Sequence, residues 1–118
     1  MKTLTDLVGE TIKEITMSEN RPVFLTENYI VKFEHDQDCC ETVDFIDTIG
    51  NLEDLIGSPL TMAEEVYGEE PTDYEYKNDR HTWTFYKFAT VKGYVTFSFL
   101  GESNGYYNER MDVSVERI

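Results

Sequence analysis

The sequence is poor in positive charge. Only 10 lysines and arginines stand against 24 aspartates and glutamates, and the formal net charge is −14. A surface of this kind repels nucleic acid and anionic membranes and attracts positively charged proteins. We therefore expect no direct contact with nucleic acid or membrane, and we expect any partner to carry a basic surface. High solubility without a partner is the alternative interpretation of the same charge.

The sequence also lacks a long apolar segment. No run approaches the roughly 18 residues that indicate a membrane-spanning helix. The stretch 1–8 carries Asp6 and has no apolar core of the kind found in a signal peptide. Two adjacent cysteines do not form the disulfide framework of a small secreted protein. These features predict a protein of a reducing cytoplasm.

Familiar catalytic motifs are missing as well. The chain has no Gly-x-Ser-x-Gly elbow, no phosphate-binding loop and no His-Glu-x-x-His pair. Cys39 or Cys40 could form a thiol–imidazole pair with His81, but the spacing does not distinguish this pair from packing or metal binding. We expect the protein not to be an enzyme. A metal- or thiol-dependent enzyme that acts on a small molecule is the alternative.

The residues that are present predict a β-rich fold. Hydrophobic residues make up 40% of the 118-residue chain and aromatic residues 14%, which suffices for the core of one domain over residues 1–118. Alternating patterns and turn residues predict an α+β fold that is mainly β, a predominantly antiparallel sheet with one or two short helices. Strand patterns occupy residues 23–26, 29–35, 81–90, 94–100 and 111–115. The patterns of 11–17 and 42–47 are ambiguous, the second because apolar residues from Val43 to Ile56 also keep near-helical spacing, and we predict strands for both; 60–67 fits a strand or a helix.

The connections between these strands carry distinct signals. Glu27-Asn28 and Asn104-Gly105 both predict hairpin turns. Asn51 is a good N-cap for a short helix that ends at Ile56. The segment 68–79 is polar and strongly charged, and we predict a loop there.

The segment 35–41, HDQDCCE, concentrates the metal-binding side chains of the chain. It holds both cysteines and one of the two histidines. His35, Cys39, Cys40 and His81 together supply the four nitrogen and sulfur donors of a closed zinc site. His35 ends the apolar row of the strand 29–35, and His81 shares its row with Trp83 and Phe85. We therefore predict both imidazoles at the ends of core-facing rows, with a structural zinc ion between them.

Other interpretations of this segment stay open. Adjacent thiolates reach one ion less easily than those of Cys-x2-Cys, so one cysteine with Asp36, Asp38 or Glu41 is a second ligand set. The segment could also be a structural loop whose cysteines pack as small apolar residues, or it could form a vicinal disulfide. Calcium is disfavoured, because Cys40 and Glu41 stand where an EF-hand loop carries a ligand and a glycine.

A segment without positive charge runs from residue 33 to residue 76. It contains 14 of the 24 acidic residues and no lysine or arginine. Carboxylates on a folded surface can imitate phosphates and occupy a lysine- and arginine-lined groove that normally holds DNA or RNA. A solvated acidic face is the alternative. The residues predicted to contact a partner are Glu64, Glu65, Glu69, Glu70, Asp73 and Glu75.

Aromatic residues form a second group. The run 83–88 would suit base stacking, but the net charge opposes phosphate, so we predict that these side chains pack in the core. Tyr106-Tyr107, beside the Asn-Gly turn, is interpreted as a contact anchor or as a cross-strand pair.

Three stretches together resemble a family of small uncharacterised proteins of phages and prophages. They are HDQDCCE at 35–41, TWTFYKFAT at 82–90 and GESNGYY at 101–107, with Ala63-Glu64-Glu65 between them. The resemblance covers most of the chain after about residue 30. It implies a phage context and the cytoplasm of a bacterial host. That family carries no assigned activity, so the resemblance implies no catalytic residue.

In size, charge and context alone, the chain is similar to anti-CRISPR proteins. This likeness implies an inhibitor that binds a basic surface of a Cas nuclease, with a single-effector type II enzyme as the expected partner, and hinders nucleic-acid loading. A sponge for a nucleotide signal is a further alternative. It would require Lys87, Lys92 and Arg110 to converge on the anionic ligand.

Overall fold

The computed structural model describes residues 3–18, 21–35, 42–69, 80–103 and 111–118. These residues form eight β-strands and two 3₁₀ turns. The prediction of a mainly antiparallel β fold is confirmed, and the short helices are the single 3₁₀ turns Leu4–Leu7 and Leu52–Leu55. In this described part of the chain, neither turn has the length and apolar character needed to cross a membrane.

The strands form two antiparallel sheets of four strands each. The first sheet has the order β1-β2-β3-β8 and the second has the order β4-β7-β6-β5. The bounds are β1 Ile12–Ser18, β2 Arg21–Thr26, β3 Tyr29–Glu34, β4 Thr42–Ile49, β5 Met62–Glu69, β6 Arg80–Thr90, β7 Gly93–Ser103 and β8 Asp112–Arg117. The chain therefore changes sheet after β3 and changes back after β7.

The hairpin of β2 and β3 forms where the sequence predicts it. Thr26 Oγ1 accepts hydrogen bonds from the backbone N–H groups of Asn28, at 3.2 Å, and Tyr29, at 2.9 Å. The amide of Asn28 donates to the carboxylate of Glu10 at 3.1 Å. A threonine hydroxyl thus closes the turn by binding its own backbone, as is typical of Ser and Thr at turns.

The core lies between the two sheets and is largely aromatic. Phe24 of β2 and Phe33 of β3 face Phe88 of β6 and Phe97 of β7, and all four are at most 2% exposed. The ring centroids of Phe24 and Phe88 are 5.1 Å apart at an angle of 76°, an edge-to-face contact that aromatic rings favour. Tyr86 is also buried, and its hydroxyl donates to the carbonyl of Met111 at 2.7 Å. That bond ties β6 to the residue before β8.

The second 3₁₀ turn begins at the predicted cap. Asn51 Oδ1 accepts from the backbone N–H of Glu53 at 3.0 Å. The turn is held against the end of β6, because the hydroxyl of Thr90 donates to the carbonyl of Asp54. Gly57 follows with φ of 86°, a left-handed conformation that ends the turn.

The structure departs from the sequence prediction at residue 68 and beside Asn104-Gly105. The ambiguous segment 60–67 is a strand, and Gly68 and Glu69 extend β5 instead of opening the predicted loop. The remainder of that predicted loop lies outside the described residues. The Asn104-Gly105 signal also lies outside them, but its flanking strands do not pair with each other: β7 pairs with β4 and β6, and β8 pairs with β3. The strands on either side of an Asn-Gly pair need not form one hairpin.

Candidate functional site

The outer face of the second sheet is the face of β4, β7, β6 and β5 that points away from the core. Alternation along the central strand β6 defines it, since successive side chains of a strand point to opposite faces. The buried row of β6 is Thr82, Thr84, Tyr86, Phe88 and Thr90. The outer row is Trp83, Phe85, Lys87 and Ala89, and all four are half-buried.

Trp83 and Phe85 form a stacked aromatic pair on this outer face. Their ring centroids are 5.8 Å apart and the ring planes differ by 5°. In the register, Leu100 of β7 lies opposite Trp83, and Val66 of β5 lies opposite Phe85. Trp83 Nε1 is buried and has no hydrogen-bond partner within the described part of the chain. A buried indole N–H usually finds an acceptor, so this one is unusual for a side chain that serves packing alone.

The position of this pair corrects the sequence analysis. We predict core packing for the aromatic run of β6 and a core-facing row for His81 with Trp83 and Phe85. That row prediction is wrong, because the row of Trp83 and Phe85 faces outward. Both rows of β6 carry large aromatic residues, so apolar alternation could not choose between them. The buried row also contains three threonines, Thr82, Thr84 and Thr90, which weaken its apolar signal.

Carboxylates lie along both edges of the outer face. On β4, Asp44 pairs with Leu100 and Asp47 pairs with Ser98, and both aspartates are exposed. On β5, the exposed Glu64 lies directly opposite Lys87. Within the described strands of this sheet, Lys87 is the only lysine or arginine whose side chain is described in the outer rows. An apolar centre is thus bordered by negative charge on two sides.

The residues predicted to contact a partner are only partly described. Glu64 belongs to the outer row of β5, and the half-buried Glu65 follows on the opposite side of the same strand. Because β5 is an edge strand, a partner that touches both glutamates would have to cover that edge. Of the remaining four, Glu69 ends β5 with its side chain outside the description, and Glu70, Asp73 and Glu75 lie outside the described residues.

Glu65 borders a cavity at the β5 edge. The cavity has a volume of ≈ 520 Å³ and lies between the first 3₁₀ turn, β5 and β8. Leu4, Ala63 and Val113 give it apolar walls. The hydroxyl of Tyr67 donates to the carboxylate of Glu65, which fixes that side chain at the cavity rim.

Of the four predicted zinc ligands, the structure describes the backbone positions of His35 and His81. Thr42, the first residue of β4, pairs with Glu102 of β7, and Glu102 pairs with His81 of β6. Two strand spacings separate residues 42 and 81, a distance of about 10 Å. On the other sheet, the ring of Phe33 near the end of β3 lies 5.5 Å from that of Phe99, so β3 runs toward this end of the sandwich.

His35 follows β3 directly and is half-buried. The chain thus leaves the first sheet at His35 and enters the second sheet at Thr42. Thr42 and His81 lie at the same level of that sheet, because both pair with Glu102 of β7. Cys39 and Cys40 lie outside the described residues, and so does the side chain of His81. Among the side chains that are described, no group of three or more His, Cys, Asp and Glu residues could hold a metal ion. The zinc site therefore stays a prediction.

Comparison with known proteins gives a family and no activity. No curated protein and no solved structure matches this sequence. The model of a family described as a domain of unknown function, DUF7448, matches residues 5–113. This match covers all eight strands except the last part of β8. Because it spans far more than half of the chain, the chain belongs to the DUF7448 family.

Proposed function

We propose that this protein is a non-enzymatic binding protein that occupies a basic surface of a nucleic-acid-handling partner. The charge of −14 is the observation that carries the proposal. A stiff sandwich with an aromatic core holds its exposed carboxylates at fixed positions, and fixed carboxylates can replace phosphates on a lysine- and arginine-rich groove.

The arrangement of charge supports this proposal. Asp44, Asp47 and Glu64 are exposed along the edges of one face of the second sheet. Beside them, the outer rows of that sheet carry only one described lysine or arginine, Lys87. Such a face attracts cations and repels phosphate, so a basic protein suits it better than a nucleic acid or a nucleotide signal.

The partner we propose is a nuclease of bacterial defence. The resemblance of segments 35–41, 82–90 and 101–107 to phage and prophage proteins supports a phage context and the cytoplasm of a bacterial host. An acidic protein in that setting would act as an anti-CRISPR: it binds a single-effector type II Cas nuclease and hinders the loading of guide RNA or target DNA.

Competition for loading tests this function. A purified type II Cas nuclease is mixed with fluorescent guide RNA, and anisotropy reports loading as the protein is titrated in. We expect loading to fall, and the inhibition constant to weaken steeply between low and moderate salt, because the contact is between unlike charges. Reversing charge with Glu64→Lys, Glu65→Lys, Glu69→Lys and Glu70→Lys should abolish most of the inhibition.

A matched control uses glutamates of the first sheet. Glu14→Lys with Glu116→Lys changes the net charge by half as much and alters exposed side chains on the outer face of the other sheet. Per charge reversed, the β5 variant must lose far more inhibition than this control. Equal losses per charge would mean that only net charge matters. Unchanged loading with the unaltered protein would refute the proposed target.

The zinc site is proposed as a structural support for the same scaffold. His35, Cys39, Cys40 and His81 would hold the ion, and its role would be to fix the chain where it passes between the sheets. Residues 35, 42 and 81 lie at the same end of the two packed sheets, which supports this proposal. Zinc content of the purified protein is the measurement, and Cys39→Ser should reduce it to background. A zinc-free protein with an unaltered melting temperature would remove the site.

A further inference from the structure

We propose that the outer face of the second sheet is the docking surface, and that Trp83 and Phe85 anchor a partner surface in which arginine side chains surround an apolar centre. This inference rests on the proposed function and specifies the contact. We assign the slow dissociation of the complex to the aromatic pair and its fast association to the carboxylates.

The centre of the face has the properties of a binding hot spot. Hot spots are rich in tryptophan and lie inside a ring of less important contacts that exclude water. Trp83 and Phe85 lie on the central strand β6, and Leu100 and Val66 lie beside them on β7 and β5. The two rings are stacked and nearly parallel, so the pair is preorganised and loses little side-chain entropy when a partner binds.

Exposed apolar side chains extend the face toward its edges. Val66 is 38% exposed, Ile49 is 55% exposed and Tyr94 is 68% exposed. Ile49 pairs with Thr96, and Tyr94 pairs with Ala89, so both belong to the outer rows. Solvent-exposed apolar side chains grouped on one face, with polar residues around them, mark interaction sites.

Charge selects the occupant. Asp44 and Asp47 border the centre along β4, and Glu64 borders it along β5. Phosphates of a nucleic acid or an anionic membrane would be repelled by these edges. A second copy of the chain would bring the same carboxylates against each other at a charge of −14 per copy.

Arginine fits both parts of the face. Its guanidinium pairs with carboxylates in a fork geometry, and it also stacks on aromatic rings. A partner side chain of this type could lie over Phe85 or Trp83 while its neighbours meet Asp44, Asp47 or Glu64.

Two synthetic peptides of equal charge separate the aromatic contribution from the electrostatic one. The first alternates arginine with leucine, and the second alternates arginine with serine. Binding to the uniformly ¹⁵N-labelled full chain is followed by amide chemical shifts at low and at moderate salt. We expect the arginine–leucine peptide to bind about tenfold more tightly, a ratio that corresponds to one good apolar anchor. The shifts should map to the outer rows of β5, β6, β7 and β4.

The variants then locate the contact. Phe85→Ser should remove the preference for the leucine peptide, and Asp44→Asn with Asp47→Asn should weaken both peptides by a similar factor. The aspartates are exposed, so their variant keeps the fold and the test remains decisive if the Phe85 variant is unstable. Val23→Ser with Leu25→Ser is the matched control, because these half-buried residues lie on the outer face of the first sheet.

Several results would overturn the inference. Equal affinity for the two peptides would show that the aromatic pair contributes nothing. Shifts confined to the first sheet or to the β5 edge cavity would place the contact elsewhere. Sedimentation that shows a dimer broken by Phe85→Ser would mean that a second copy occupies the face. None of these outcomes depends on inhibition of a nuclease, so the docking surface and the proposed target fail separately.

Discussion

The two sheets share one core but present outer faces of different chemistry. The outer face of the first sheet has aliphatic residues at its centre, Val23, Leu25 and Ile30, and charges of both signs around them. Arg21 and Lys32 lie there among four carboxylates: Glu14, Glu34, Asp112 and Glu116. The outer face of the second sheet has an aromatic centre, carboxylates on both edges and a single lysine among its described side chains.

This difference shows why an overall charge is a poor guide to a contact face. Both faces are acidic, but the cations of the first sheet lie beside its carboxylates and reduce its field at short range. The second sheet combines half-buried apolar side chains with two exposed aspartates, Asp44 and Asp47, whose register partners on β7 are uncharged. On our proposal, the carboxylates of the second face attract a basic protein, and burial of its apolar side chains stabilises the complex.

The largest difference in the free energy of unfolding is expected between alanine variants of the two rows of β6. Phe88→Ala in the buried row should lower the free energy of unfolding by about 3–5 kcal/mol, because it leaves a cavity between the sheets. Phe85→Ala in the outer row should cost only about 1 kcal/mol, mainly the lost stacking on Trp83. Urea unfolding of both variants measures the difference. Equal losses would mean that Phe85 belongs to the core and is no docking residue.

The next effect concerns the glycine at the end of β4. Gly50 has φ of +104°, and a Cβ there would lie 2.4 Å from the carbonyl oxygen of Tyr94. Gly50→Ala should cost about 2–3 kcal/mol from strain and this clash together. Gly9, before the first sheet, has φ of +95° with nothing within 4 Å of its would-be Cβ. Gly9→Ala should therefore cost less, about 1–2 kcal/mol of backbone strain alone.

Thermal unfolding of the two glycine variants checks this order. If Gly9→Ala lowered the melting temperature more than Gly50→Ala, the close approach of Gly50 to β7 would not be what restricts the residue type at position 50.

A smaller effect is expected from the polar groups of the buried row. Tyr86→Phe removes the hydroxyl that donates to the carbonyl of Met111 at 2.7 Å. The cost should be about 1–2 kcal/mol. Thr84 Oγ1 is buried and has no hydrogen-bond partner among the described residues, so Thr84→Val should be neutral or stabilising. Denaturant midpoints of the two variants measure both effects. An equal fall in the two midpoints would contradict the view that the Tyr86 hydroxyl is paired and the Thr84 hydroxyl is not.

The smallest effect compares the charge pairs of the two sheets. Glu64 and Lys87 lie directly opposite each other on the outer face of the second sheet, and a double-mutant cycle with alanine should give a coupling of about 0.2–1 kcal/mol. Lys13 and Glu27 of the first sheet are 3.8 Å apart and strongly exposed, so their cycle should give about 0–0.5 kcal/mol. A larger coupling for Lys13 and Glu27 would show that the half-buried position of Lys87 beside the aromatic centre does not strengthen its interaction with Glu64.

Much of the strand order along the chain could be predicted from local sequence. Alternation identified β3 and β7, and Glu27-Asn28 identified the first hairpin, because each signal depends on neighbours only a few residues apart. The segment 60–67 stayed ambiguous, since its pattern suits a helix as well as a strand. Its pairing with β6 decides the matter by supplying the hydrogen bonds that a strand needs.

The candidate site was harder to predict. The acidic character was evident from composition, and Glu64 is indeed exposed on an edge strand. The sequence grouped Glu64 with Glu65, but adjacent strand residues point to opposite faces. Trp83 and Phe85 were predicted in the core, because nothing in a run of alternating aromatics indicates which row the other sheet will cover.

The sequence by itself determined the charge of the molecule, the β periodicity and the presence of enough aromatic residues for a core, since these depend on composition and on neighbouring residues. The tertiary structure alone decided which side of β6 is covered. Phe24 and Phe33 of the first sheet meet Tyr86 and Phe88, and that contact leaves Trp83 and Phe85 facing outward. A strand with two apolar faces has no preferred orientation until another sheet packs against one of them.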